Sequence, residues 1–283
     1  MLVRQYFRGM RFPVFILGPL LCSMWAAAQS SDCASVTTTD KEVILSADSW
    51  DPVLAMAATL SDRYGISVSV ESPRWAFPGD TEDVAIADPQ FSAQHNNVHY
   101  LVMKRHLVQE RFSALAGAPP TDVHGLLLQV VEAANKEMPY AYRLDAYGNE
   151  FALVPTKTRN SAGELEDVQP LLDRHVSIPA GSRPIAEHAS LMANQLSQQS
   201  GLQISCCQTG VAGVPWGQAE VLFQADDEPA REVLRKLIRL EQQQNSQASN
   251  RHPAYDHWTV RCDGTGSPWC FIEVRGAFTS HCR

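Results

Sequence analysis

Cysteine is the residue type here best able to do chemistry, and two of the seven stand side by side in SGLQISCCQ, residues 200–208. Cys22 lies in an apolar leading stretch; the others are Cys33, Cys206, Cys207, Cys262, Cys270 and Cys282. An even set in an exported chain reads as disulfides first and metal ligands second, because an oxidising compartment favours the bond. A cysteine nucleophile would need a nearby histidine and a third group to orient it. His257 and His281 stand close in sequence to Cys262 and Cys282, but Cys262 falls on the apolar face of a strand and Cys282 at the terminus, which favours structural roles. His95 and His99 in HNNVHYLVMKRH are spaced to share a helix face, yet the Asn-Asn between them and the β-rich run after them indicate loop and strand. Polar surface histidines are the reading there, rather than metal ligands. No H-E-x-x-H, no G-x-S-x-G and no paired C-x-x-C occurs, and GTGSP lacks the lysine of a phosphate loop. No catalytic residue, metal or cofactor is expected.

The elements that must position these residues begin after a distinct leader. Arg4, Arg8 and Arg11 precede a mostly apolar run from Phe12 to Trp25, and Ala26, Ala27 and Ala28 follow it. That is the order of a secretory signal peptide over residues 1–28, against the rivals of an uncleaved anchor or lipidation at Cys22. The formal charge of −8 becomes more negative when the three arginines leave with this segment. An acidic chain without a basic stripe repels phosphate backbones and anionic lipid, so nucleic acid is set aside. No second apolar run is long enough to span a membrane. With 283 residues, 45% hydrophobic and 19% charged, the chain has material for two domains.

The same order of elements occurs twice. DPVLAMAATLSDRYGISVSVES from Asp51 and RPIAEHASLMANQLSQQSGLQISCCQ from Arg183 each open on a proline suited to a first helical turn. Each continues at helical spacing, stops at Gly65 or Gly201, and passes into alternation, Ile66-Val68-Val70 or Leu202-Ile204-Cys206. Second helices are signalled by TDVHGLLLQVVEAANKE, with Thr121 as cap, and by DEPAREVLRKLIRLEQQ, with Asp227 as cap. Hairpins follow: Tyr142-Leu144-Ala146 turns at Gly148-Asn149 into Phe151-Leu153, and Trp258-Val260-Cys262 returns as Cys270-Ile272-Val274. Strands at EVIL (42–45) and HVSI (175–178) precede the first helices. The first copy carries an insertion over about residues 87–120, and QQQNSQASNRHP from Gln242 reads as an exposed loop.

The expected fold is α+β, two tandem small α/β modules of order strand-helix-strand-strand-helix-hairpin, with helices packed on mixed sheets. The boundaries are a signal peptide over 1–28, a decorated module over 29–155, a polar linker over 156–170, a second module over 171–276 and a tail over 277–283. The second module, from HVSIPAGSRPIAEHASLMANQLSQQSGLQIS through DEPAREVLRKLIRLE to the last hairpin, resembles the secretin and TonB short N-terminal domain. The resemblance covers about residues 172–275 and rests on hydrophobic positions and one glycine. It implies a small periplasmic module that docks onto other proteins; no plug, outer-membrane barrel or pore-forming region accompanies it here.

On the repeat, Cys206 takes the place of Val70 and faces the core, and Cys207 takes that of Glu71 and faces solvent. Neighbouring strand residues point to opposite faces, so the two are poorly placed to bond each other. Cys206 then reads as a small buried apolar residue, and Cys207 as the candidate for a bridge to Cys282 or Cys33. Pairing Val260 with Ile272 sets Cys262 opposite Cys270, which predicts a disulfide across the last hairpin. Trp75, Phe77 and Trp216 follow the central strands of the two copies and form a candidate interaction surface. The functional expectation is an exported, periplasmic or secreted, non-enzymatic interaction module for an unknown envelope or periplasmic protein. The alternatives are a secreted hydrolase with an unrecognised site and a structural cell-envelope component.

Overall fold

The computed structural model of the chain describes residues 34–39, 42–74, 76–97, 99, 101–113, 120–209, 216–247, 255–262 and 269–276. In chain order the first repeat contains β1 (Ser35–Thr38), β2 (Glu42–Ser49), α1 (Pro52–Tyr64), β3 (Val68–Glu71), β4 (Thr81–Asp83), α2 (Val84–Ala87), α3 (Pro89–Gln94), β5 (Leu101–Met103), β6 (His106–Ser113), α4 (Val123–Glu137), β7 (Ala141–Tyr147), β8 (Glu150–Arg159) and β9 (Leu165–Asp167). The second contains β10 (His175–Pro184), α5 (Ile185–Ser200), β11 (Gln203–Thr209), β12 (Glu220–Pro229), α6 (Ala230–Gln247), β13 (Tyr255–Cys262) and β14 (Trp269–Gly276). The fold is α+β, with helices on mixed sheets.

Local chemistry accounts for the helix ends. Asp51 caps α1 by accepting the Leu54 N–H at 3.0 Å, with Pro52 in the first turn. Gly65 (φ 67°) and Gly201 (φ 70°) close α1 and α5 in the left-handed conformation that glycine adopts without a Cβ penalty. The second helices differ from expectation at their starts. Asp122, one residue past Thr121, caps α4 by accepting from the Gly125 N–H at 2.8 Å. Asp227 lies within β12 with φ 48°, its N–H on Ser177 Oγ, so it turns the strand and does not cap α6.

In each repeat the two helices pack between a small antiparallel pair, β2–β6 or β10–β12, and a three-stranded set. Val43, Leu45, Met56, Leu60, Leu127 and Val130 fill the first core; Ile178, Met192, Leu196, Leu234, Leu237 and Ile272 fill the second. The equivalence of β6 and β12 corrects the extent of the insertion. The extra material is residues 72–105, holding β4, α2, α3 and β5, and β6 beyond it belongs to the common layout because it pairs with β2.

The three-stranded sets join into one seven-stranded sheet of order β11-β14-β13-β3-β8-β7, with β9 on β8. The join is parallel, Thr259 opposite Val70 and Val260 opposite Glu71. Strands β13, β3 and β8 run one way and β11, β14 and β7 the other. Both repeats therefore read central strand, return strand, outgoing strand in the same sense along the sheet, with directions reversed. A half-turn about an axis in the sheet plane relates them, and it puts their helices on opposite faces. Strand β8 records this: Leu153 faces the first core, while Ala152 and Val154 face the second. Residues 156–170, expected as a linker, continue β8 to Arg159 and fold back as β9, with Lys157 opposite Asp167.

Candidate functional site

A constellation of charged groups lies where α6 crosses the outer face of the β7–β8 hairpin. Its residues are set by helix periodicity: Arg231, Arg235 and Arg239 recur every four positions along one stripe of α6. Arg231, with its side chain 4% exposed, donates to both Asp145 and Asp173. Arg143 donates to the same two carboxylates, at 3.0 Å to Asp145 and 2.8 Å to Asp173. Hydrogen bonding to Asp145 raises the Arg143 pKa above its ordinary value, so this guanidinium stays charged. Arg235 lies 3.8 Å over the Tyr147 ring and donates to Glu150 at 3.0 Å, and Arg239 reaches Glu150 from the next turn at 3.0 Å. An open groove beside β7 is lined by Arg143, Leu144, Asp145, Asp173 and Arg231.

A buried carboxylate marks the same junction from the other side. Glu71, on β3, accepts the backbone N–H groups of Leu171 and Leu172, which open the second repeat. Burial pushes its pKa up from 4.5 to about 7, the two backbone donors and Arg231 opposing that rise. Asp51 is a second, partly buried carboxyl whose pKa is raised by desolvation, and it takes the Ser72 hydroxyl as well as its capping bond. These groups hold elements together: the arrangement suits docking of one folded unit on another.

The cysteines separate into two outcomes. Cys262 and Cys270 are directly opposed on β13 and β14 and form a disulfide with S–S 2.01 Å and Cα–Cα 3.9 Å, as the hairpin register predicts. Cys206 corrects the expectation of a free apolar residue: it is disulfide-bonded. It packs only partly buried against the second core, on the terminal strand of the sheet, where a core-facing side chain is not sealed from a sulfur partner. Cys33 and Cys282 lie outside the described residues, as does the side chain of Cys207.

Of the expected aromatic surface, Trp216 is corrected to a core residue. Trp216 is 3% exposed and belongs to the second core. The turn after it explains this, since Gly217 (φ 75°) presses on the start of α5 and accepts the Ala186 N–H at 3.0 Å, folding the indole inward. Phe77 is half-buried beneath the Arg159 guanidinium at 5.9 Å, where it steadies the β8–β9 turn, and Trp75 lies outside the described residues. His99 pairs with Asp83 at 2.8 Å on the surface, and His106 starts β6.

Sequence reasoning singled out none of Glu71, Arg143, Asp145, Asp173, Arg231 or Arg235. The arginine stripe at four-residue spacing was a signal that could have found α6's second face. No family model, no curated protein and no solved structure matches the chain.

Proposed function

We propose that the protein is an exported, non-enzymatic interaction module of the periplasm, built of two repeats like the secretin and TonB short N-terminal domain. The observation that carries this reading is the junction itself. A repeat offers a strand edge and a helix face, and within this chain one of each already binds the other repeat through β13 on β3 and α6 on the β7–β8 hairpin. The oxidised pair Cys262–Cys270 supports an oxidising compartment, and no helix among the described residues is long and apolar enough to cross a membrane.

Two measurements test it. The mature chain, expressed with its native leader, is expected to start near Gln29 by intact mass, whereas retention of Met1 or a lipid on Cys22 overturns export by cleavage. Affinity capture of that mature protein from its own periplasm is expected to recover a specific protein; turnover of a small-molecule ester, amide or glycoside panel would instead favour a hydrolase.

A further inference from the structure

The internal junction is one worked example of how two of these repeats dock, and it leaves its complementary parts at the ends of the sheet. In the junction, β13 of the second repeat lies along β3 of the first, with the Ser72 N–H donating to the Val260 carbonyl at 2.9 Å. The hairpin registers make β7 the counterpart of β13, and the pairing of Val70 with Leu153 and of Cys206 with Ile272 makes β11 the counterpart of β3. β7 and β11 are the two ends of the sheet among the described residues. Successive repeats follow by a half-turn in the sheet plane, so two steps amount to a shift. A second copy moved along the sheet brings its β11 beside β7, parallel, as β13 lies beside β3.

The helix faces agree with that placement. Aligning the buried positions Leu126, Leu127 and Val130 of α4 with Val233, Leu234 and Leu237 of α6 makes His124, Leu128 and Glu132 the counterparts of Arg231, Arg235 and Arg239. On the receiving hairpin, Arg261, Trp269 and Phe271 are the counterparts of Asp145, Glu150 and Ala152. The internal contact of Arg235 with Glu150 becomes Leu128 on Trp269 between copies. Those two residues are 46% and 44% exposed, and Trp269 stacks on Phe271 at 6.5 Å with planes 13° apart. An ion pair inside the chain is thus matched by an apolar pair outside it, each self-consistent. Arg261 is already paired with Glu273 at 3.1 Å, so His124 beside it adds no attraction and Leu128 is the anchor. On β7 the Asn135 side chain binds the Tyr142 N–H and carbonyl at 2.7 and 3.0 Å, which leaves Leu144 and Ala146 to present the edge.

We propose that the protein assembles head to tail with copies of itself, β7 and Leu128 of one copy docking on β11 and the Trp269–Phe271 face of the next. Such an interface uses two different surfaces and stays open at both ends, so it builds a row and not a closed pair. This names a partner for the interaction reading above and rests on it.

Sedimentation of the purified full chain tests the proposal. The wild type is expected to gain mass with concentration beyond a dimer. Leu128→Glu or Trp269→Glu, with circular dichroism and thermal midpoint unchanged, is expected to weaken association by about tenfold or more. A mixture of the two variants retains one intact pair of surfaces and is expected to stop at a one-to-one dimer. A wild type that stays monomeric, a mixture with no dimer, or association that both variants leave unchanged overturns the assembly. A monomeric result leaves capture of a different periplasmic protein untouched, so this inference and the interaction reading fail by separate measurements.

Discussion

Cys262 and Cys270 close a short loop, eight residues apart in sequence. A loop of that size is worth about 2.5 kcal/mol by chain entropy. Replacing both by serine should lower the unfolding free energy by that amount, read as a fall in the urea midpoint at unchanged slope, and peptide mapping without reduction should find the pair joined; free thiols at either position would contradict the register. This contact was legible because strand alternation fixes which side chains oppose each other once one pair is chosen. Glu71 was not legible, since a lone glutamate at the end of a strand carries no mark of what will bury it. Its folded pKa of about 7 stands above the unfolded 4.5, so the folded state holds the extra proton between those values. Stability from this group is therefore fully present below pH 4.5, declines as pH rises, and is lost above about 7. The difference in unfolding free energy between wild type and Glu71→Gln should slope across that window; a flat difference would show that burial does not set this pKa.

At the scale of elements, α6 has two jobs. Its apolar stripe, Val233, Leu234, Leu237 and Ile238, fills the second core, and its arginine stripe grips the first repeat. Arg231 is the group on which that grip turns, because it is buried and faces two carboxylates that would be left without it. Arg231→Met is expected to cost about 3 kcal/mol, the low end for breaking a buried ion pair, since Arg143 still reaches both acids. Arg143→Ala, at a side chain 39% exposed, should cost less than about 1 kcal/mol. Equal losses in a denaturant series would remove the distinction between the two arginines. Helix α6 was predictable as a helix from its apolar period, α1 from the proline and glycine at its ends, and α5 from its closing glycine, since Pro184 ends β10 just ahead of the first turn. The start of α4 was misplaced by one residue because Thr121 and Asp122 are both good caps and only the chain's path chooses between them.

For the whole molecule, the two repeats have separate cores but one sheet, and Ala152 and Val154 of the first half lie in the core of the second. Cutting the Asn160–Gly163 turn should therefore give two bands under denaturing conditions and one particle of intact size in native buffer. Pieces that separate in native buffer would show that the shared sheet and the α6 contacts do not hold the halves together.

Composition, helix and strand period, glycine stops and the duplicated order of elements were determined by the sequence alone, because each is read along the chain, the periods from neighbours two, three or four residues apart and the duplication from their recurrence in the same order. The α+β class and the sulfur pairing across the last hairpin follow from those periods. The join of the two sheets, the burial of Trp216 and the arginine grip of α6 were decided only by tertiary structure. Each brings together residues far apart in the chain, as Arg231 meets Asp145 and Glu71 meets Leu171, and such meetings depend on which faces remain uncovered after the local elements have packed.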